Sequence, residues 1–480
     1  MDKNNSWIVV LVIVAVAVCC CLLLITAGST YLFMNSSQAP TETGSVKPPI
    51  SEPVLPTIDL PENPLQTGTP PSVDNPHDQV VIPENILSQM QEIEKQVEKI
   101  RGLTGIEELD RKTLTQEELR LRVLNDFFAD YTPEDVKNDG VILSLFGLIE
   151  RDYDLYHLFI DLYSEQIAGF YDDETKEMVV VLDENFAGPE RMTYAHEYTH
   201  ALQDAVYGLN DGLKLDDETC EADSEYCAAV SALVEGDASL TEANWFREYS
   251  TRRDKKEVYE FYKDYTSPIF DKTPPFLKDD LIFPYSQGLD FVTSLYEKGG
   301  YEAIDNAYLN PPVSTEQILH PERYPDDKPI TIQLDDFSET LGDGWQEIDR
   351  NTLGEWYTYL FLAKPLHEDW AINDKSAVKA AEGWGGDLYL VYHNSEKDAD
   401  VLISLFEWDT QGDADEFWKE VTRYGLNRFG KANNQSKNTM GWNTSDAVVS
   451  FKRQGKQFLW VSAPDEEISS LILKKFDLFN

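Results

Sequence analysis

Two histidines and a glutamate stand at metal-ligand spacing in the run His196-Glu197-Tyr198-Thr199-His200. On a helix, residues four apart share a face, so His196 and His200 can hold one metal ion between them. Glu197 lies beside that face, where a carboxylate can take the proton of a metal-activated water. The chemistry this predicts is metal-assisted hydrolysis with zinc as the ion, since imidazole and carboxylate ligands suit Zn2+. Related donor sets also accept other divalent metals. An exposed helix with two solvated histidines would show the same three residues, so the decisive feature is a third ligand. Glu235 supplies the candidate. It sits inside CAAVSALVEGDASLTEANWF, a stretch rich in small residues that lets a second helix approach closely. A lone carboxylate in such a helix needs a partner, and His196, His200 and Glu235 together leave a fourth metal position open for catalysis.

The elements around these residues follow from local signals. Pro189 suits the first turn of the histidine helix, and Gly208 suits its C-terminal stop. Immediately upstream, Gly169 to Tyr171 and Met178 to Leu182 read as two strands around the acidic turn Asp172 to Lys176. A strand edge beside an active site commonly holds extended peptide. Farther upstream, helical spacing begins near Pro83 with Ile86, Leu87, Met90, Ile93, Val97 and Ile100. Thr115 with Glu118 forms a capping-box signature, Thr132-Pro133 opens another helix, and VILSLFGLIERDYDLYHLFIDLY reads as one or two buried helices. This region reads as a helical flank of the catalytic domain, with an inhibitory pro-segment as the alternative. Asp204, one turn after His200, is a candidate to orient a ligand histidine, against the plainer reading of a solvated surface acid. Cys220 and Cys227 are expected to close a small disulfide loop ahead of Glu235 in an oxidising exterior.

HEYTH followed by Glu-Gly-x-Ala (Glu235, Gly236, Asp237, Ala238) resembles the gluzincin class of zinc metallopeptidases, to which thermolysin and the aminopeptidase N family belong. The likeness runs from about Gln166 to Gly300. It includes Tyr285-Ser286-Gln287-Gly288, similar to the Tyr-x-Lys-Gly segment whose tyrosine steadies the oxyanion in the aminopeptidase N family. It implies a zincin-like catalytic core, peptide-bond hydrolysis and zinc on His196, His200 and Glu235, with Glu197 as the base. Tyr285 is the first choice for oxyanion donor and His320, in a proline-flanked loop, the second. Gln287 stands where that family has lysine, and no Gly-Ala-Met-Glu-Asn segment is present, so recognition of a free amino terminus is not implied. The closer likeness is to membrane-attached or secreted bacterial proteins with this peptidase-like core.

The 480 residues carry 87 acidic against 40 basic side chains, a net charge of −47, which argues against nucleic acid and anionic membrane surfaces as partners. Trp7 to Ala27 form a 21-residue apolar run, about 31 Å as a helix and long enough to cross a bilayer. Lys3 precedes it and no basic residue follows until Lys47, which places the bulk of the protein outside the cytoplasm. A cleaved secretory signal is the competing reading. Cys19, Cys20 and Cys21 read as membrane-embedded thiols.

The expected architecture is α+β: residues 1–34 a cytoplasmic tip and transmembrane helix, 35–82 a Pro/Ser/Thr-rich stalk, 83–325 a mostly helical zincin-like metallopeptidase domain with a small β-sheet, and 326–480 a smaller α+β domain. In the last, strands are expected in EGWGGDLYLVYHN and DVLISLFEW, a helix in GDADEFWKEVTRYGLNRF, and a hairpin around Gln454-Gly455, with Trp384, Trp408, Trp442 and Trp460 in its core. The expected function is zinc-dependent hydrolysis of a peptide or protein substrate by a membrane-anchored extracytoplasmic metallopeptidase. The alternatives are a non-catalytic zincin-fold binding or sensor protein, and a zinc hydrolase of a non-peptide substrate.

Overall fold

The computed structural model describes residues 82–480, apart from 107–108, 123–124, 126–131, 182–185, 264, 477–478 and 480. The apolar run at 7–27, its three cysteines and the stalk lie outside the described residues. Among the described residues no helix is long and apolar enough to cross a membrane.

The fold is α+β. Helix α1 (Glu84–Arg101) leads to strand β1 (Asp110–Leu114) and helix α2 (Gln116–Arg122). The capping box at Thr115 is formed: Glu118 accepts from the Thr115 backbone N–H at 2.8 Å, and Thr115 Oγ1 accepts from the Glu118 N–H. Helices α3 (Pro133–Phe146) and α4 (Leu155–Gln166) follow, the first with a capping box on Thr132, so the long apolar stretch makes two helices. Strands β2 (Gly169–Asp172) and β3 (Glu177–Val181) form the expected antiparallel hairpin. Sequence reasoning did not find β1, which pairs parallel with β3 and leaves β2 at an edge of the three-stranded sheet. The polar sequence of β1, DRKTL, carries no hydrophobic alternation to mark it as a strand.

Helix α5 (Gly188–Tyr207) carries HEYTH, and α6 (Ser224–Glu248) carries Glu235. After α7 (Arg252–Lys263) comes α8 (Pro275–Gly299), which holds Tyr285. The small residues of α6 meet α8. A Cβ on Gly236 would lie 2.2 Å from the Gly288 carbonyl oxygen, and one on Gly288 would lie 2.1 Å from the Ala232 oxygen. The two backbones touch because neither position carries a side chain. Cys220 and Cys227 are joined by a disulfide at the start of α6.

Helices α9 (Tyr301–Leu309) and α10 (Thr315–Leu319) lead to a seven-stranded antiparallel sheet. Its strands are β4 (Gln346–Asn351), β5 (Trp384–Asn394), β6 (Ala399–Trp408), β7 (Asn434–Gln435), β8 (Thr439–Asn443), β9 (Val448–Gln454) and β10 (Gln457–Ala463), in the order β4-β5-β6-β10-β9-β8-β7. Between β4 and β5 run α11 (Gly354–Ala363) and α12 (Asp374–Ala381). Helix α13 (Gln411–Phe429) follows β6, and α14 (Glu466–Leu473) ends the fold. The central strands bury both faces. Tyr389, Val391, Leu402, Phe406 and Trp460 enter one core cluster, while Leu390, Tyr392, Val401, Ile403 and Leu459 enter another. That two-sided burial explains why LYLV and VLISLF read as continuous apolar runs. Trp384, Trp408, Trp442 and Trp460 are all buried core residues. The first of these clusters also contains Val141, Phe159, Leu233 and Phe291. The regions on either side of residue 325 therefore share one apolar core.

Candidate metal centre

Helix α5 presents three faces, each to a different neighbour. Tyr194 and Tyr198, two residues out of phase with the histidines, point back to α1: Tyr194 donates to Glu94, and Tyr198 donates to Glu98 at 2.9 Å. Arg111 of β1 grips the same Glu94 through two hydrogen bonds, at 2.8 and 2.9 Å. His196 and His200 point to α6. Glu197 points to the edge strand, where its Oε2 accepts from the Tyr171 backbone N–H at 3.0 Å. The hairpin thus fixes the candidate base.

The three expected ligands come together. Glu235 Oε2 lies 3.1 Å from His196 Nε2 and 3.4 Å from His200 Nε2. All three side chains are buried, and their ligand atoms lie within 4.8 Å of one another. Glu235 Oε1 and His200 Nε2 are buried without a hydrogen-bond partner among the described residues.

The outer nitrogens of both histidines are held by residues that sequence reasoning missed. His196 Nδ1 lies 3.0 Å from Glu242 Oε2, and His200 Nδ1 lies 2.8 Å from Gln203 Oε1. A carboxylate only accepts, so Nδ1 of His196 carries the proton. Gln203 is oriented by its other end: its Nε2 donates to the Val234 carbonyl at 3.0 Å and to Asp237 Oδ2 at 3.1 Å. Its oxygen therefore faces His200, whose Nδ1 must donate. Both imidazoles direct Nε2 at Glu235, the arrangement that outer partners impose on metal-binding histidines. Asp237 is held in turn by Arg101 Nε at 2.9 Å and Tyr308 O–H at 3.0 Å. Arg101, from the last turn of α1, is 1% exposed and also pairs with Asp305 at 2.7 Å. The signals were present only as spacing: Gln203 is one turn from His200, and Glu242 is two turns from Glu235.

Asp204 has neither of the roles expected for it. It is buried, and it accepts from Tyr171 O–H at 2.8 Å, Lys176 Nζ at 2.6 Å and the Leu209 N–H at 3.2 Å. It ties the hairpin turn to the end of α5. Gln203, its neighbour, orients the histidine.

The two candidate oxyanion donors lie apart. Tyr285 is buried in α8, its ring centroid 6.4 Å from that of His196. His320, after α10, places Nε2 2.9 Å from Glu355 Oε1 and lines a cleft whose walls include none of the three ligands.

The electrostatics fit a cation. Burial pushes Glu197 up to about 7, against the pull of His200 and His196. Burial opposes charge on His196, yet its bonds to Glu235 and Glu242 hold it up at about 10. Burial would also raise Glu235, but His200 and His196 keep it below the usual carboxylate range. An acidic pocket that protonates its histidines in this way is one that a divalent ion can occupy in place of those protons. A second acidic group, Glu316, Asp327 and Asp409, is different, because Arg323 Nη1 already sits among all three.

In comparison with known families, residues 339–472 are similar to a family described as a domain of unknown function (DUF8575). Comparisons with curated proteins and with solved structures find no match. The matched span covers α11 to α14 and the seven-stranded sheet, and it lies outside the HEYTH and Glu235 helices.

Proposed function

We propose that the protein is a zinc-dependent peptide hydrolase of gluzincin type, anchored ahead of residue 83 with its catalytic part outside the cytoplasm. The observation that carries this reading is the meeting of His196 Nε2 and His200 Nε2 on one oxygen of Glu235, while the other oxygen is buried without a partner among the described residues. Three buried donors left in this state suit a metal ion better than a structural ion pair. A bound zinc ion would acidify water and polarise a carbonyl. The chain's own residues would do the rest. Glu197, raised toward neutrality by burial, takes a proton from the attacking water and returns it to the leaving amine. Tyr285, beside His196, donates to the developing oxyanion. The β2 edge, whose Tyr171 N–H already positions Glu197, lies where an extended peptide can pair.

The test compares metal content and cleavage of a denatured-protein substrate in the parent, Glu235→Ala and Glu197→Gln. One zinc per chain in the parent, reduced in Glu235→Ala, and activity lost with metal kept in Glu197→Gln, is the expected result. A well-folded parent without metal overturns the reading. Metal without cleavage of any peptide transfers it to a binding protein or to a hydrolase of another bond.

A further inference from the structure

Helix α8 has a second role one residue beyond Tyr285. Ser286 and Gln287 line a cleft of about 390 Å³, together with Ile282 of α8, His320, and Glu355, Trp356 and Tyr359 of α11. The family-matched region therefore builds one wall, and the helix carrying the candidate oxyanion donor builds the other.

Two features of this cleft point to one kind of ligand. The first is a buried carboxylate on its wall. Glu355 is 2% exposed, and while its Oε1 contacts His320, its Oε2 is buried with no hydrogen-bond partner among the described residues. Behind the wall lies a buried second acid, Glu316, which Arg323 shares with the part-exposed Asp327 and Asp409. Burial, and then the nearby Glu355, push Glu316 up to about 9. The second feature is a fixed aromatic wall. Trp356 stacks on Phe283 at 4.6 Å and on Tyr359 at 5.3 Å, and its Nε1 donates to Asp280 at 2.8 Å. Lys364 lies over the Tyr359 ring at 6.0 Å while pairing with Asp279, an example of the cation–ring contact this aromatic side chain makes. A long aliphatic stem ending in positive charge matches both features, with the stem along the rings and the head near the carboxylate.

We propose that this cleft is a specificity subsite for an arginine or lysine side chain of the substrate, held by Glu355 and flanked by Trp356 and Tyr359. This rests on the hydrolase reading for the word substrate, but not for the binding itself. The test uses the full chain with Glu197→Gln to stop turnover, and fluorescence anisotropy with two peptides that differ only in arginine against its neutral isostere citrulline. The arginine peptide is expected to bind roughly tenfold tighter or better. Adding Glu355→Gln should reduce that preference to about twofold or less. Adding Val378→Lys, at a lining position that is 49% exposed, should weaken the arginine peptide and spare the citrulline one. Because Val378 is on the surface, this variant keeps the test valid if Glu355→Gln fails to fold. Equal binding of the two peptides, or a preference that survives in a folded Glu355→Gln, overturns the proposal. Binding preference in a protein whose parent cleaves nothing would sink the hydrolase reading alone; cleavage without any preference for basic residues would sink the subsite alone.

Discussion

Gly236→Ala is the substitution that the crossing of α6 and α8 makes most informative. The added methyl would lie 2.2 Å from the Gly288 oxygen, 2.3 Å from its carbonyl carbon and 2.9 Å from the Leu289 nitrogen. All three are backbone atoms, so no side chain can swing away. Reaching even 3.0 Å requires the helices to part by about 0.8 Å. Alanine gains about 1 kcal/mol of helix propensity over glycine. Overpacking of a filled site costs about 1–3 kcal/mol and sometimes more, and contact with rigid backbone puts this case at the upper end. The net loss is therefore about 2 kcal/mol. The displacement falls beside Glu235 on one helix and one turn from Tyr285 on the other. A shift on the order of 1 Å at a catalytic constellation costs roughly 100-fold in rate. Denaturant unfolding and the rate of cleavage of a denatured-protein substrate would measure the two effects. Gly299→Ala on the same α8 is the control, since its methyl meets only Ala303 Cβ, at 3.1 Å. A Gly236→Ala protein with parental stability and a parental cleavage rate would refute the close crossing.

Four further outcomes are expected. Glu242→Gln should weaken metal binding roughly 10- to 100-fold while leaving the secondary structure unchanged, as judged by chelator titration and circular dichroism. Because its bonds to Glu235 and Glu242 hold His196 above its usual pKa, metal must displace a proton there; affinity should rise with pH well beyond 6.5, and calorimetry in buffers of different ionisation enthalpy should detect the proton released. Arg101→Met should cost about 3–5 kcal/mol by leaving Asp237 buried without its cation, and Arg101→Met with Asp237→Asn should cost less than the single change. Asp387 is buried and raised to about 7 by burial, despite donors from Leu353, Gly354 and Trp384. Its folded pKa exceeds the unfolded one, so its contribution to stability is complete below about pH 4 and is lost as pH rises through 7. Asp387→Asn should flatten that part of the stability–pH curve.

The sequence made the candidate metal ligands legible because helical geometry converts an i, i+4 spacing into a shared face without reference to any other part of the chain. Glu235 was legible for a related reason: a carboxylate among small residues requires a partner. The residues that orient the ligands were not legible. Glu242 and Gln203 look like ordinary helix-surface side chains until the packing of α5 against α6 buries them. Arg101 looks like a favourable charge at a helix C-terminus, and only the docking of α1 turns it into the counter-ion of Asp237. The crossing of α6 and α8 was half legible, since the small residues announced a close neighbour but did not name Gly288. Strand β1 failed for want of pattern. Its place depends on a parallel pairing with β3 more than sixty residues away, with Asp110 opposite Glu177.

The seat of Arg101 has a mechanical consequence. Helix α1 is the first described helix of the chain, and its grip on the body runs through Glu94, Glu98 and finally Arg101, whose carboxylate partner is two residues from Glu235. Any tether pulling from ahead of residue 83 would load this helix before any other described helix. Tension along it would strain the Arg101–Asp237 contact, and through Gln203 the imidazole of His200. A chain held at that end would have its candidate metal centre in series with its attachment point.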